Sequence, residues 1–150
     1  MPQSLSSIIV HIVFSTRQRT PWIHQEIIND LYSYMSAIAR AHKAHVHGIG
    51  GIEDHVHILI SLPRTLALSK LVEEIKKGSS KWVKTKNEIL EQFSWQSGYG
   101  AFSVSESNVK IAQKYIEKQR EHHKKMSFQD EYRLLLQRHC ISYDEQYVWD

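Results

Sequence analysis

The strongest constraint on the fold is the order in which two kinds of hydrophobic pattern alternate along the chain. Residues 8–14 are rich in β-branched side chains and predict a buried strand. A helical repeat of apolar residues follows from 23 to about 43, and two short strands are predicted at 44–49 and 55–60. The short connection between those two strands indicates an antiparallel hairpin.

The second half of the chain repeats the alternation. A helix is predicted from about 66 to 90, with Gly78 as a point of interruption, and an aromatic stretch at 93–104 predicts a fourth strand. Helices at about 106–125 and 128–138 complete the order βαββαβ followed by helices. We therefore predict an α+β fold of the ferredoxin-like or RRM-like type: a four-stranded antiparallel sheet with helices on one face, plus C-terminal helices. No repeat or linker is visible, so residues 1–150 are expected to form one domain.

Composition excludes several classes of protein. Hydrophobic residues make up 41% of the chain and charged residues 23%, which are ordinary values for a globular protein. The single cysteine, Cys140, excludes an intrachain disulfide and a cysteine-rich zinc site. The longest apolar run is too short to cross a bilayer. We expect a cytoplasmic protein with no membrane partner.

Positive charge is unevenly distributed, although the net charge is only +3. Residues 64–86 contain seven Lys or Arg against two Glu, and residues 110–125 contain six against two. Two such stretches suit a polyanionic partner, because each cation that meets a phosphate releases condensed counterions. Two solvated helix faces would give the same pattern. Charge alone does not choose between these interpretations.

The pair His55 and His57 is the first candidate for a chemical site. Residues two apart on a strand point to the same side of a sheet, so both imidazoles can chelate one ion. His45 and His47 have the same spacing ten residues earlier. A pair of histidines on a strand is often structural, so spacing by itself does not identify a metal site.

Tyr115 and Gln119 are the second candidate. They lie four residues apart on a predicted helix and therefore share one face, a turn apart. Tyr115 can be a packing residue and Gln119 an exposed helix former. Alternatively, the amide oxygen of Gln119 completes a ligand set with the two histidines, and the Tyr115 hydroxyl faces the metal.

Residues 51–60, which contain His55-Val56-His57, together with Tyr115-x-x-x-Gln119, resemble the HUH superfamily. The similarity is greatest to the TnpA-type single-tyrosine transposases of the smallest insertion sequences and to their REP-associated relatives. It covers nearly the whole chain and includes residues 11–16, 95–105 and 143–150. The resemblance selects His55 and His57, since His45 and His47 match no motif of that family.

The resemblance implies a strand transferase that cuts single-stranded DNA without a nucleotide cofactor. Tyr115 would attack a backbone phosphorus and form a 5′-phosphotyrosine, which a later 3′-OH can reverse. A divalent metal, Mg²⁺ or Mn²⁺ in this family, would be held by His55, His57 and Gln119. Ligand type alone would also admit Zn²⁺ or Ni²⁺.

The resemblance also implies the partners. The DNA would be single-stranded with hairpin ends, and the protein would be a homodimer in which Tyr115 serves the histidines of its own subunit or of the other. Six basic residues are candidates for phosphate contacts: Arg17, Arg19, Lys76, Lys77, Lys81 and Lys84.

Three alternatives remain at this point. An RRM-like nucleic-acid-binding module stacks bases on aromatic side chains of its central strands, where this chain has imidazoles. A domesticated or REP-associated nuclease of the same chemistry would have the same residues. Replication initiators and relaxases share the histidine pair but are usually longer and have other tyrosine motifs.

Overall fold

Four antiparallel strands form one sheet in the computed structural model, which describes residues 1–150. The strands are β1 (Ile9–Ser15), β2 (His45–Ile52), β3 (His55–Ser61) and β4 (Gly100–Val104), and their order across the sheet is β2-β3-β1-β4. The sequence alternation therefore predicted the α+β class and the antiparallel sheet correctly. β1 and β3 lie at the centre, and their register pairs Val13 with His57.

The two faces of the sheet are covered by different helices. One face carries Val10, Ile12 and Phe14 of β1, and it packs against α1 (Gln25–Ala41) and α2 (Leu68–Lys84) in a core of 19 buried residues. This core includes the side chains that alternate inward from both central strands, as the two-residue period of a strand requires. The first face is therefore the main hydrophobic core.

α1 and α2 pack closely where the second helix was expected to break. α2 runs without interruption through Gly78, and it ends at Lys84 rather than near residue 90. A Cβ at Gly78 would lie 2.6 Å from Cδ1 of Ile38, so the glycine lets the two helices approach. Helix–helix contact, and not a break, explains this glycine.

The second face is covered by the C-terminal helices α3 (Val109–Glu117), α4 (Gln119–His122) and α5 (Phe128–Arg138). The single helix predicted at about 106–125 is divided in two, because Lys118 has the non-helical dihedral angles φ −96° and ψ 22°. The break places Gln119 at the start of a new helix with its side chain buried. α5 has the predicted bounds, and its N-cap Ser127 accepts a hydrogen bond from the Asp130 N–H.

Two strand predictions differ from the structure. β2 continues through Gly50 and Gly51 to Ile52, whereas the sequence interpretation ended it before them. β4 begins at Gly100 and not at residue 93. Residues 94–96 pair with the end of β1, since the Arg17 N–H donates to the Ser94 carbonyl and the Gln96 N–H to the Ser15 carbonyl, but this pairing is interrupted before Gly100. The Gly98 N–H donates to the Asp150 carbonyl at 2.8 Å, and the carbonyls of residues 96–98 accept from Lys76. None of the helices has the length and apolar composition that crossing a bilayer would need.

Candidate active site

His55 and His57 lie side by side on the second face of the sheet. Both are fully buried, and their ring centroids are 5.0 Å apart. The intervening Val56 points into the opposite core, which anchors the strand between the two imidazoles. β3 thus presents two ring nitrogens to the space beneath the C-terminal helices.

Gln119 and Tyr115 reach the same space from above. The Oε1 atom of Gln119 is 3.0 Å from Nε2 of His55, and the Gln119 side chain is buried. The Tyr115 ring centroid is 5.9 Å from that of His57. Within one subunit, the structure therefore brings together the four residues that the sequence pattern singled out.

Glu131 of α5 lies at the centre of the group, and the sequence analysis missed it. Its Oε1 atom is 2.9 Å from Nε2 of His57 and 3.4 Å from Nε2 of His55. Its Oε2 atom accepts the hydroxyl of Tyr115. The sequence did hold a signal: Glu131 lies on the apolar side of α5, between Phe128 and Leu135, where a carboxylate is unusual.

His123, which follows α4, is the second residue that the sequence analysis missed. Its Nε2 atom is 2.9 Å from Oε1 of Gln119 and 3.0 Å from Oε1 of Glu131. In the sequence it lies within a basic stretch, beside His122, where nothing distinguishes it from a solvated histidine. Only the packing of α4 and α5 brings it to β3.

The outer nitrogen of each imidazole has a hydrogen-bond partner. Nδ1 of His55 lies 2.7 Å from a carboxylate oxygen of Asp54, and Nδ1 of His123 lies 2.7 Å from the carbonyl oxygen of Met126. Nδ1 of His57 lies 2.7 Å from Nε2 of the buried His11. These partners orient the rings so that the three Nε2 atoms face one another, as the outer partners of metal-binding histidines do.

The electrostatics of the group follow from burial and from the shared carboxylate. Burial would raise the pKa of Glu131, but hydrogen bonds from His123, His55 and His57 hold this pKa far below its usual range. Burial opposes a charge on His55, yet hydrogen bonds to Asp54 and Glu131 raise its pKa to about 9. Burial, together with the negative charge of Glu131, raises the pKa of Tyr115. Glu131 is therefore ionised and the Tyr115 phenol is neutral.

His55, His57, His123 and Glu131 can together hold a metal ion. One donor atom from each of the four lies within 4.8 Å of the others. Imidazole nitrogen and carboxylate oxygen are common ligands of divalent cations. Gln119 adds an amide oxygen beside them. The residues present therefore fit a metal centre.

The remaining candidates lie away from this group. His47 bonds to the hydroxyl of Ser61 at 2.6 Å and, like His45, is outside the cluster. Lys76 donates to the carbonyls of Gln96, Ser97 and Gly98, which uses all three of its N–H groups. This makes Lys76 a poor candidate for phosphate contact.

The other five basic candidates differ in exposure. The side chains of Arg17, Lys77, Lys81 and Lys84 are exposed. Arg19 is half-buried, and its guanidinium lies over the ring of Trp149 at 5.7 Å.

The sequence matches the model of a known family. The family model described as transposase, IS200-like, matches residues 4–119 of the 150-residue chain. A comparison with curated proteins found no match.

Two solved structures share the fold. One is a candidate transposase from Deinococcus radiodurans R1, with a TM-score of 0.62 and 20% identity, covering 79% of this chain and 98% of the other. The second is a REP-associated tyrosine transposase bound to a REP hairpin, with a TM-score of 0.61 and 16% identity, covering 82% of this chain and 72% of the other. At identities of 20% and 16%, these structures support the fold alone. The match over residues 4–119 identifies the chain as a member of the IS200-like transposase family.

Proposed function

We propose that this protein is a single-tyrosine, HUH-type strand transferase that cleaves and rejoins single-stranded DNA with Tyr115 as nucleophile. The Tyr115 oxygen bonds to a backbone phosphorus, and the bond from that phosphorus to the preceding 3′ oxygen breaks. The phenol loses its proton and the departing oxygen gains one, which leaves a 5′-phosphotyrosine and a free 3′-OH. A 3′-OH of another strand reverses the step and joins the strands.

One observation carries this proposal: the Tyr115 hydroxyl and the His57 imidazole bond to the same carboxylate, that of Glu131. The nucleophile thus lies beside the group of residues that can hold a metal ion. A nucleophile that is held beside the bound phosphate reacts in an effectively intramolecular step, which is faster than reaction after a random collision. No movement of a helix is needed to bring the two together.

The ionisation of Tyr115 is the barrier that such a site must lower. The phenol is neutral because burial and the charge of Glu131 raise its pKa. A divalent cation, Mg²⁺ or Mn²⁺, would be held by His55, His57 and Gln119 and would offset the negative charge that develops on phosphate and phenol. The Gln119 amide also donates to the Tyr115 carbonyl at 3.3 Å, so the side chain that would bind the metal is fixed to the helix that carries the nucleophile.

The partner of this reaction would be single-stranded DNA with hairpin ends. A REP hairpin is the ligand of the REP-associated relative, and the same class of ligand is proposed here. Exposed cations on α2 and after β1 are the candidates for phosphate contacts: Arg17, Lys77, Lys81 and Lys84. A homodimer remains part of the proposal, with each Tyr115 acting on the histidines of its own subunit.

No specific observation favours an RRM-like binding module. Such a module stacks bases on the open face of its sheet. Here His11 and His57 occupy the middle of that face and are buried beneath α3 and α5. A domesticated or REP-associated nuclease would use the same chemistry at the same residues.

The experiment is a covalent-adduct assay. Single-stranded DNA that contains a hairpin and its flanks, labelled at the 3′ end, is incubated with protein and Mn²⁺ or Mg²⁺ and analysed on a denaturing gel. The label is placed there because a 5′-phosphotyrosine retains the downstream fragment. We expect an adduct with the wild type, none with Tyr115→Phe, and none in the presence of a chelator.

Tyr147→Phe is the matched control, because Tyr147 is 61% exposed and lies outside the site. This variant should form the adduct normally, and Tyr115→Phe should still bind the hairpin in a gel-shift assay. An adduct formed by Tyr115→Phe would remove Tyr115 from the mechanism.

A further inference from the structure

We propose that Glu131 and His123 are ligands of the same metal ion as His55, His57 and Gln119. The ion would then have three imidazole nitrogens, a carboxylate oxygen and an amide oxygen as ligands. This donor set selects Mn²⁺ and other transition metals over Mg²⁺. The inference rests on the proposed function only in placing the ion at His55 and His57.

The distances between donor atoms support this assignment. Five pairs of facing donors are separated by 2.9 to 3.4 Å. Ligands bound at about 2.1 Å lie roughly 3.0 Å apart at the corners of an octahedron and about 3.4 Å apart at those of a tetrahedron. These five pairs therefore have the separations of neighbouring ligands of one ion, and the donor atoms of His55, His57, His123 and Glu131 all lie within 4.8 Å of one another.

The orientation of the rings supports it as well. Nδ1 of His55 faces a carboxylate oxygen of Asp54, and Nδ1 of His123 faces the Met126 carbonyl. Nε2 of each of these two rings therefore faces the oxygen atoms of Gln119 and Glu131. An outer nitrogen engaged in this way is typical of metal-binding histidines.

The two added residues lie outside the segment that identifies the family. The family model ends at Gln119, whereas His123 and Glu131 follow it. Local contacts hold both residues in position. The Met126 carbonyl bonds to Nδ1 of His123, and Ser127 caps the N-terminus of the helix that carries Glu131. The metal site is thus completed by the C-terminal helices.

The donor set determines which ion is preferred. Mg²⁺ prefers oxygen ligands and keeps several of its waters, and imidazole suits transition metals. Five protein donors would leave one position of an octahedron for a phosphate oxygen. Because the second oxygen of Glu131 accepts the Tyr115 hydroxyl, the same carboxylate would place the nucleophile next to the ion.

The test is calorimetric titration of the metal-free, full-length protein with MnCl₂ and with MgCl₂, in the absence of DNA. We expect Mn²⁺ to bind more tightly than Mg²⁺. Loss of an outer-shell partner typically weakens metal binding about 10- to 100-fold, so Glu131→Gln and His123→Ala should each lower Mn²⁺ affinity at least tenfold. Asp130→Asn and His45→Ala are the matched controls and should leave it unchanged.

A second measurement keeps the proposal testable if a variant fails to fold. Pulsed electron paramagnetic resonance of Mn²⁺ bound to wild-type protein with ¹⁵N-labelled histidine counts the coordinated imidazoles. Three would support the proposal, and two would overturn it. If His55→Ala weakens binding but Glu131→Gln and His123→Ala do not, this inference is wrong and the proposed function stands. If none of the three weakens binding, both are wrong.

Discussion

At the scale of single residues, two histidine pairs with identical spacing have different environments. His57 is fully buried, with one ring nitrogen facing His11 and the other facing Glu131. His47 is partly exposed and bonds to a serine hydroxyl. The spacing of a histidine pair on a strand therefore cannot distinguish a chemical site from a surface pair, whereas the neighbours of the pair can.

We expect His57→Ala to abolish metal-dependent adduct formation, because it removes a nitrogen donor from the proposed site. The loss should be about 10²-fold or more, the usual effect of removing one group that stabilises developing charge. The rate of adduct formation at several Mn²⁺ concentrations is the measurement. His47→Ala is the control and should keep the wild-type rate; equal losses in both variants would show that the wrong pair was chosen.

At the scale of elements, the position of α3 on β2 decides where Tyr115 lies. A Cβ at Gly50 would be 2.3 Å from the Ile116 carbonyl oxygen, so the strand and the helix are in backbone contact. At Gly48, two residues away, a Cβ would be 3.6 Å from the Gln113 side chain, which is an ordinary contact. The two glycines form a natural pair for comparison.

Gly50→Ala should push α3 away from the sheet and move Tyr115 with it. Overpacking of this kind costs typically about 1–3 kcal/mol, and urea unfolding would measure the loss of free energy of unfolding. Adduct formation should fall as well. Gly48→Ala should be close to wild type in both assays; matching results for the two variants would mean that the close contact does not position the helix.

Lys76 of α2 holds the segment before β4 through hydrogen bonds to its carbonyls. A basic residue on α2 can therefore either stabilise the fold, as Lys76 does, or remain free to contact DNA. Lys76→Gln removes charged hydrogen bonds to three carbonyls, each worth about 1.5–3 kcal/mol, and should lower stability in urea. Lys77→Gln, on the exposed side, should change stability by less than about 0.5 kcal/mol.

We expect DNA binding to be affected by Lys77→Gln and not by Lys76→Gln, the opposite of the order expected for stability. If Lys77 contacts a phosphate, its loss reduces the slope of binding affinity against salt concentration by about one unit. Lys76→Gln should leave that slope unchanged, since its ammonium already bonds within the protein. A reduced slope for Lys76→Gln with normal stability would contradict this division.

At the scale of the whole molecule, one subunit contains every residue of the candidate site. Tyr115 and His57 both contact Glu131 of the same chain. A dimer that keeps this arrangement has two independent sites, and a subunit defective in one residue is then not repaired by its partner. The sequence had left a trans arrangement equally open.

Mixing Tyr115→Phe protein with His57→Ala protein under conditions of subunit exchange should restore no adduct, because neither subunit has a complete site. The denaturing gel described above is the readout, with wild-type protein diluted into either variant as the positive control. Adduct formation in the mixture would show that the tyrosine acts on the partner's histidines.

Much of this protein followed from the sequence alone, because local periodicity determines it. The two-residue period of β3 predicted that His55 and His57 share a face, and the amphipathic repeat predicted α5 at its observed bounds, Phe128–Arg138. The four-residue spacing of Tyr115 and Gln119 predicted their proximity, although the helix between them is broken at Lys118. The catalytic and ligand roles of these four residues stay predictions.

Only the tertiary structure decided what surrounds those residues. Glu131 and His123 meet His55 across long stretches of chain, and no local pattern records such a contact. The late start of β4 has the same cause, since the carbonyls of residues 96–98 bond to Lys76 instead of to a strand. Periodicity determines which way a side chain points within its element, whereas the packing of elements determines what it meets there.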